Sequence, residues 1–344
     1  MTKEERLVKV AELKRTLWAQ GVHRPAVGGI GEHVAKTPRP EGKSAADVPV
    51  DDVKLKMKGM LWGLLVGDAL GSPIQFTGKD SHPWITEMVP CGIFSVGPGC
   101  WTDDGSMALC VMDSVVRKGG YDLQDIGNTF VKWLFEGYLS SKEGKSFDVG
   151  VATSHGVSSI RLGSMKNGRE ESQGNGSIMR FAPSYLLARS LGRKQLIHEV
   201  SDLTHSSSAV RKVCDEFAAV LDEHLEGRKT ERGPGKELIR ALVPNSGWCV
   251  DTLAAALWAF NTTNSFEEGM IAAVNLGGDS DSIGAVYGQI AGAYYGFEAI
   301  PSRWVSAMKD HEMLARRIDD FIKVIQELTE SGRKMRRCSS GRCF

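Results

Sequence analysis

The stretch Gly59-Met-Leu-Trp-Gly-Leu-Leu-Val-Gly-Asp-Ala-Leu-Gly71 carries a glycine at every fourth position, and the same spacing returns in residues 284–296. Residues four apart share one face of an α-helix, so each stretch predicts a helix with a bare stripe. An interior glycine costs a helix roughly 1 kcal/mol relative to alanine, so the two stripes require a compensating gain. Close packing of another backbone would supply that gain, and so would contact with a ligand. Either interpretation places both helices in the middle of the domain.

Helical spacing of apolar residues continues outward from the stripes. It recurs in residues 107–115 and 213–221, among others, and no strand-like alternation competes with it. We therefore predict an all-α fold, built as one compact domain over residues 51–330.

The two ends of the chain differ from this domain in composition. Residues 22–50 are rich in Pro, Gly, Lys and Ala without periodicity, so residues 1–50 are predicted to form a polar N-terminal extension and linker. Residues 331–344 are short, basic and without a core, which predicts a disordered tail.

Charge and cysteine content exclude several classes of function. The 344 residues contain 42 Lys and Arg against 42 Asp and Glu, so no excess of positive charge favours nucleic acid or a membrane as partner. The N-terminal residues lack an apolar leader, and no uncharged stretch is long enough to span a bilayer, which predicts a cytoplasmic protein. Seven cysteines without a CxxC pair indicate neither a zinc ribbon nor a disulfide framework.

Two acidic clusters stand where helices are predicted to begin, Trp101-Thr-Asp-Asp104 and Gly278-Asp-Ser-Asp-Ser282. Helix capping would explain one such cluster. If the fold brings both within about 4 to 6 Å, each like-charge pair costs on the order of 3 to 4 kcal/mol, which bound cations or raised pKa values would relieve. The candidate ligands are all hard oxygens, which select Mg, Mn or Ca. Two cations sharing a carboxylate would activate water, which is hydrolytic chemistry.

Three further features are open to two interpretations each. The segment Gln173–Pro183 places a glycine-flanked turn before a helix predicted to begin near Ile178, so its amides could receive phosphate oxygens beside Arg180, or it could be an ordinary turn. His205 suits either a ligand contact or a satisfied surface or core position. Asp148 suits either a catalytic base or a helix cap.

Taken in order along the chain, these segments resemble the ADP-ribosylglycohydrolase family, whose members remove ADP-ribose from modified arginine, serine or related acceptors. The resemblance spans about residues 55–297 and implies an orthogonal helical bundle of that type. The matching segments are Gly67-Asp-Ala-Leu-Gly71, Trp101-Thr-Asp-Asp104, Phe147-Asp-Val-Gly150, Gly174-Asn-Gly-Ser-Ile-Met-Arg180, Leu203-Thr-His205 and Gly278-Asp-Ser-Asp-Ser-Ile-Gly284.

The resemblance also implies a set of site residues. Two Mg²⁺ or Mn²⁺ ions would be held by Thr102, Asp103, Asp104, Asp279, Asp281 and Ser282. They would grip the 2- and 3-hydroxyls of the distal ribose while water attacks the anomeric carbon. The implied catalytic residues are Asp148, Asp103 and Asp281, with Asp148 orienting the water or accepting its proton. The implied substrate-binding residues are Asp68, Gln75, Asn175, Gly176, Ser177, Met179 and His205.

Family members that cut serine-linked ADP-ribose offer a Glu where this chain has Gln75. Because an amide cannot act as a carboxylic acid, we expect an ADP-ribosylated protein arginine or a small ADP-ribose conjugate as substrate. The protein is expected to be a monomer. Two alternatives are a catalytically silent relative and a metal-dependent phosphoester hydrolase. The intact set of four aspartates argues against the first, and the motif order argues against the second.

Overall fold

The computed structural model describes the backbone of residues 50–339 and the side chains of residues 52–332. Within that range the regular secondary structure is entirely helical, with two isolated β-bridges, which confirms the predicted all-α fold. The helices are α1 (Val50–Gly71), α2 (Asp103–Lys118), α3 (Leu123–Glu136), α4 (Val151–Arg161), α5 (Phe181–Leu191), α6 (Leu196–Asp202), α7 (Ser208–Leu225), α8 (Cys249–Thr262), α9 (Phe266–Val274), α10 (Ser280–Tyr295), α11 (Ser302–Ala307) and α12 (His311–Ser339), with short 3-10 turns at Ser72–Ile74, Arg240–Leu242 and Phe297–Ala299. The extension predicted for residues 1–50 lies outside the described residues, except for its last position.

The two glycine stripes face each other across α1 and α10. A Cβ atom added to Gly59 would lie 2.6 Å from the carbonyl oxygen of Gly292, and one added to Gly63 would overlap the carbonyl group of Gly288. Only glycine permits backbones to approach this closely. The packing interpretation of the stripes is therefore confirmed, and both helices lie in the core, where neighbours such as Leu65 and Ile290 are fully buried.

The C-terminal end of α1 brings the two acidic helix starts together. Ser280, the first residue of α10, donates its hydroxyl hydrogen to the Gly71 carbonyl oxygen over 2.8 Å. Asp68, on the last turns of α1, accepts hydrogen bonds from the backbone N–H groups of Thr102 at 3.0 Å and Gly105 at 2.8 Å. Those groups belong to the first turn of α2, which has no side-chain cap of its own. One helix end thus fixes where both acidic segments begin.

Further along α2 a second group of charges joins three helices. Asp113 binds Arg117 at 2.8 Å and Arg317 of α12 at 2.7 Å. Arg117 also binds Asp125 of α3 at 2.6 Å and the hydroxyl of Thr129 at 3.0 Å. The carboxylates and guanidinium groups here satisfy one another, so this cluster holds α2, α3 and α12 together.

The last helix is longer than expected. We predicted that order ends at residue 330, but α12 continues to Ser339. Lys and Arg are good helix formers and interact favourably with the C-terminal end of the helix dipole, so basic composition alone does not end a helix. Residues 340–344 lie outside the described range. No helix of the described residues combines the length and apolarity needed to cross a bilayer.

Candidate active site

A cavity of about 370 Å³ is lined by the starts of α2 and α10 and by the turn before α5. This volume lies within the range of roughly 300 to 1,000 Å³ that is usual for ligand sites. The predicted site residues on its wall are Gln75, Asp103, Asp104, Asp148, Asn175, Gly176, Met179, His205, Asp279, Asp281 and Ser282. The structure thus brings together residues from six separate segments of the sequence.

The cavity wall also contains residues that sequence reasoning missed. They include Phe76, Val149, Val151, Thr153 and Gly247. Phe76 and Val151 are 68% and 74% exposed, so they present apolar surface at the wall. The only signal for them was that most are sequence neighbours of Gln75 and Asp148.

Asp103, Asp104 and Asp281 are buried, and within the described residues none of them forms an ion pair. Burial is the main cause that raises the pKa values of these three groups, and the charges of neighbouring carboxylates raise them further. One carboxylate oxygen of Asp104 and one of Asp281 have no hydrogen-bond partner in the part of the chain that the structure describes. The other oxygen of Asp104 has only long contacts, 3.4 Å to the Ser282 hydroxyl and 3.5 Å to that of Thr102. Buried, unpartnered carboxylate oxygens are costly unless something positive approaches them.

These donors fit a hard divalent cation. All of them are oxygen atoms, which Mg²⁺ and Mn²⁺ prefer. Among residues 52–332 no three His, Cys, Asp or Glu side chains are gathered around one point. An ion at this site would therefore draw on the hydroxyls of Thr102 and Ser282, or on water, in addition to carboxylates.

Asp148 stands in the cavity wall with an unusual backbone conformation, a positive φ of 56°. It does not cap α4, because the N-cap of that helix is Gly150, so the helix-cap interpretation is wrong. Its carboxylate accepts a hydrogen bond of 2.8 Å from the side-chain amide of Gln75. It also interacts with the carboxyl group of Asp281. Burial raises the pKa of Asp148, while these two contacts lower it. A residue held at positive φ by such contacts is typical of a functional site.

The glycine-rich turn differs from the prediction in two respects. The helix after it begins at Phe181 rather than near Ile178, so residues 175–180 remain a turn. Arg180 does not lie beside a phosphate position on the cavity wall, because its side chain is buried behind the turn. The turn is anchored from both sides. The Asn175 amide donates to Thr252 at 2.9 Å and to Asp279, and the Gln289 amide donates to the Ile178 and Met179 carbonyl oxygens at 3.1 and 3.0 Å.

His205 belongs to the cavity wall and is only 3% exposed, so the surface interpretation of this histidine is wrong. Its ring lies against Gly176, where an added Cβ atom would come within 3.0 Å of the Nε2 atom. Burial, and then the charge of Arg180, lower the pKa of His205 from 6.5 to about 3. The ring is therefore neutral at physiological pH.

The side chains of three predicted residues do not line the cavity. Asp68 is fully buried and binds the first turn of α2, so its contacts in this structure position that helix. Burial raises the pKa of Asp68 to about 7. The Ser177 hydroxyl pairs with that of Ser201 at 2.7 Å. Thr102 is fully buried beside Asp104.

An all-helical domain with a cavity lined by carboxylates is suited to hydrolytic chemistry. The chain belongs to the ADP-ribosylglycohydrolase family, whose model matches residues 49–333, and it is therefore an enzyme of that class.

Two relatives and a solved structure show how far the similarity extends. The chain is 34% identical over 299 residues to ADP-ribosylarginine hydrolase Tri1 of Pseudomonas putida, a match that covers 79% of this chain and 80% of the relative. It is 29% identical over 289 residues to ADP-ribosyl-(dinitrogen reductase) glycohydrolase of Rhodospirillum rubrum, covering 77% and 94%. A solved ADP-ribosylglycohydrolase-related protein complex contains a chain that matches with a TM-score of 0.69 and 32% identity, covering 80% of this chain and 100% of that one.

Proposed function

We propose that the protein hydrolyses the N-glycosidic bond between ADP-ribose and the guanidinium group of a modified arginine, with two Mg²⁺ or Mn²⁺ ions as cofactors. The observation that carries this proposal is the pair formed by Gln75 and Asp148, 2.8 Å apart on a cavity wall that also holds the aspartates of both acidic segments. Similarity to an ADP-ribosylarginine hydrolase, at 34% identity, supports the same acceptor.

The ions would be held by the oxygens of Thr102, Asp103, Asp104, Asp279, Asp281 and Ser282. Bound there, they would supply Lewis acidity toward water and the ribose hydroxyls. The unpartnered oxygens of Asp104 and Asp281 support this assignment, because a cation would satisfy both.

Asp148 is the proposed base. The Gln75 amide donates to one oxygen of Asp148 and fixes the orientation of the carboxylate, which would orient water or receive its proton. General base catalysis contributes about 10²- to 10⁴-fold to such reactions. Asn175 and Met179, at the glycine-rich turn, and His205 are proposed to contact the rest of the nucleotide.

The acceptor follows from the proton demands of the leaving group. A serine alkoxide needs an acid to protonate it as the bond breaks, and Gln75 has no acidic proton to give. A guanidinium is already protonated throughout the physiological pH range. It therefore leaves as a neutral guanidine and needs no enzymic acid. Gln75 therefore suits an arginine-type acceptor.

The test is to incubate the protein with arginine-linked, serine-linked and O-acetyl ADP-ribose, with and without EDTA. We expect fast release of ADP-ribose from the arginine conjugate, loss of that activity in EDTA, and recovery with Mg²⁺ or Mn²⁺. Asp148→Asn should lower turnover by about 10²- to 10⁴-fold. Asp215→Asn, a surface carboxylate bonded to His198, is the matched control and should leave turnover unchanged. Full activity in EDTA, or equal rates on the serine conjugate, would contradict the proposal.

A further inference from the structure

Behind the cavity wall lies a buried cation without a carboxylate partner. The Arg180 side chain is 2% exposed, and its guanidinium contacts the Met107 sulfur at 3.2 Å, the Phe130 ring at 5.0 Å and the Thr204 hydroxyl. None of these neighbours is charged, and within the described residues no ion pair includes Arg180. The Asp103 and Asp104 carboxylates attract this charge, but within the described residues neither is hydrogen-bonded to it. Burying a guanidinium without a bonded anion is costly, so a role beyond packing is called for.

Thr204 connects this cation to the cavity. Its side chain is fully buried, and its oxygen receives a hydrogen bond from Arg180 and lies 2.8 Å from the Nδ1 atom of His205. Arginine can only donate, so the Thr204 oxygen accepts on that side. The question is then which atom accepts the hydroxyl hydrogen of Thr204.

Only one arrangement satisfies that hydrogen. If the His205 Nδ1 atom carried a proton and donated it to Thr204, the Thr204 hydroxyl hydrogen would face no other acceptor among the described residues. A buried donor left unpaired is destabilising. If Thr204 donates to Nδ1 instead, both the oxygen and the hydrogen of the Thr204 hydroxyl are paired. The ring proton then resides on Nε2.

The Nε2 atom is the one that serves the cavity. It forms no hydrogen bond with the described residues, and it lies at the wall beside Gly174 and Gly176. A glycine at 176 leaves room for the ring, since an added Cβ atom would collide with it. The Nε2–H group of His205 is therefore a hydrogen-bond donor at a fixed position on the cavity wall.

We infer that Arg180 and Thr204 are positioning residues that hold the neutral His205 ring in the Nε2–H form, so that it donates a hydrogen bond to an anionic phosphate oxygen of the substrate. The choice of a phosphate oxygen rests on the proposed function, because ADP-ribose carries a pyrophosphate. His205 is then a binding donor and takes no part in proton transfer. Burial and the Arg180 charge, which hold its pKa near 3, agree with that role.

The first test needs no substrate. In protein labelled with ¹⁵N-histidine, long-range ¹H–¹⁵N spectra at neutral pH show which ring nitrogen carries the proton. We expect Nε2–H for His205 in the wild type, a mixture of the two forms in Thr204→Val, and recovery of the Nε2–H form in Thr204→Ser. Thr129→Val is the matched control, because Thr129 is also buried and also accepts a hydrogen bond from an arginine, Arg117. It should leave the His205 signals unchanged.

The second test separates binding from chemistry. A hydrogen bond to a charged group contributes about 1.5 to 3 kcal/mol, so Thr204→Val and His205→Ala should raise KM for the arginine conjugate by about 10- to 100-fold with little change in kcat. His205→Gln, whose amide can donate from nearly the same place, should recover most of the loss. A collapse of kcat in His205→Gln would overturn the inference by showing proton transfer.

The two tests fail independently. Nδ1–H or a doubly protonated ring in the wild type overturns the inference even if the arginine conjugate is cleaved. The Nε2–H form in a protein that cleaves no ADP-ribose conjugate leaves the Arg180–Thr204–His205 arrangement intact and contradicts the proposed function instead.

Discussion

Helix α2 carries buried carboxylates in two regions that are treated in opposite ways. At its start, Asp103 and Asp104 lie among other carboxylates, and burial followed by those charges raises their pKa values. Three turns further on, burial also raises the pKa of Asp113, but the hydrogen bonds from Arg117 and Arg317 outweigh it, so the pKa lies below its ordinary value.

The two regions differ in whether the fold itself compensates the buried negative charge. The Asp113 cluster supplies its own cations and is complete as folded. No cationic side chain among residues 52–332 forms an ion pair with the acidic start of α2, and α10 brings Asp279 and Asp281 to the same cavity. An arrangement that would be poor for stability alone is suited to holding cations that arrive from solution.

The largest effect is expected at the acidic helix starts. Asp103→Ala or Asp281→Ala should reduce hydrolysis by about 10²- to 10⁴-fold or more, since each removes a proposed ligand. The free energy of unfolding in EDTA should stay the same or rise, because one charge leaves a crowded site. Turnover of the arginine conjugate and urea unfolding measure the two quantities. Unchanged turnover in either variant would remove that residue from the site.

The next effect is a pH dependence of the free energy of unfolding, which arises from Asp68 beside the acidic start of α2. Because Asp68 has a folded-state pKa raised to about 7, the folded protein keeps a proton that the unfolded chain releases above about pH 4. Its stabilising contribution is present below about pH 4 and is lost as the pH rises through about 7. In EDTA we expect the wild type to lose on the order of 4 kcal/mol relative to Asp68→Asn over that window.

Urea unfolding of both proteins at several pH values measures this difference. The depressed pKa values of His205 and His224 act in the opposite direction, because they make stability fall as the pH falls below about 6.5. They are common to both proteins and cancel in the difference. A difference that does not vary with pH would contradict the raised pKa of Asp68.

A smaller effect is expected where the charges are paired. Asp113→Asn leaves Arg117 and Arg317 without their shared carboxylate, and we expect the free energy of unfolding to fall by about 2 to 3 kcal/mol. Turnover per folded molecule should stay at the wild-type level, since the cluster is separate from the cavity wall. Loss of turnover with unchanged stability would reverse the contrast between the two regions.

The smallest effect concerns Gln75. Gln75→Glu places a second carboxyl group within hydrogen-bond distance of Asp148, so the two must share a proton. We expect turnover of the arginine conjugate to fall by about tenfold, and the ratio of serine to arginine rates to rise where the cavity accepts the serine conjugate. Rate measurements on both conjugates test this. If the wild type already cleaves the serine conjugate rapidly, Gln75 does not limit the acceptor.

Much of the fold could be predicted from local pattern. Glycines four apart are visible in the sequence and predict two helices with bare stripes, although the sequence left open whether a backbone or a ligand contacts those stripes. The convergence of the acidic segments was a weaker inference, because it depended on two helix starts meeting in space. What placed them together, the Asp68 carboxylate on the first turn of α2, is a long-range contact with no local signature.

The errors at the glycine-rich turn also come from long-range contacts. Arg180 was expected beside a phosphate because of its place in the turn, but the burial of one side chain depends on Met107, Phe130 and Thr204, which lie far away in the sequence. The roles of Thr204 and Gln289 were missed for the same reason. The end of α12 was misplaced because basic composition was taken as a sign of disorder.

The facing glycine stripes have one more consequence, which is mechanical. Where side chains separate two helices, a substitution can be absorbed by a change of rotamer, but α1 and α10 touch through peptide groups, which have no such freedom. Because the two backbones are in direct contact, a shift of one helix is passed directly to the other. An alanine at Gly63 would force the two helices apart at that point, and the displacement would extend the roughly 8 to 11 Å along the helix axes to Asp68 and Asp281. The shape of the cavity therefore depends on the stripe glycines, although they do not line it.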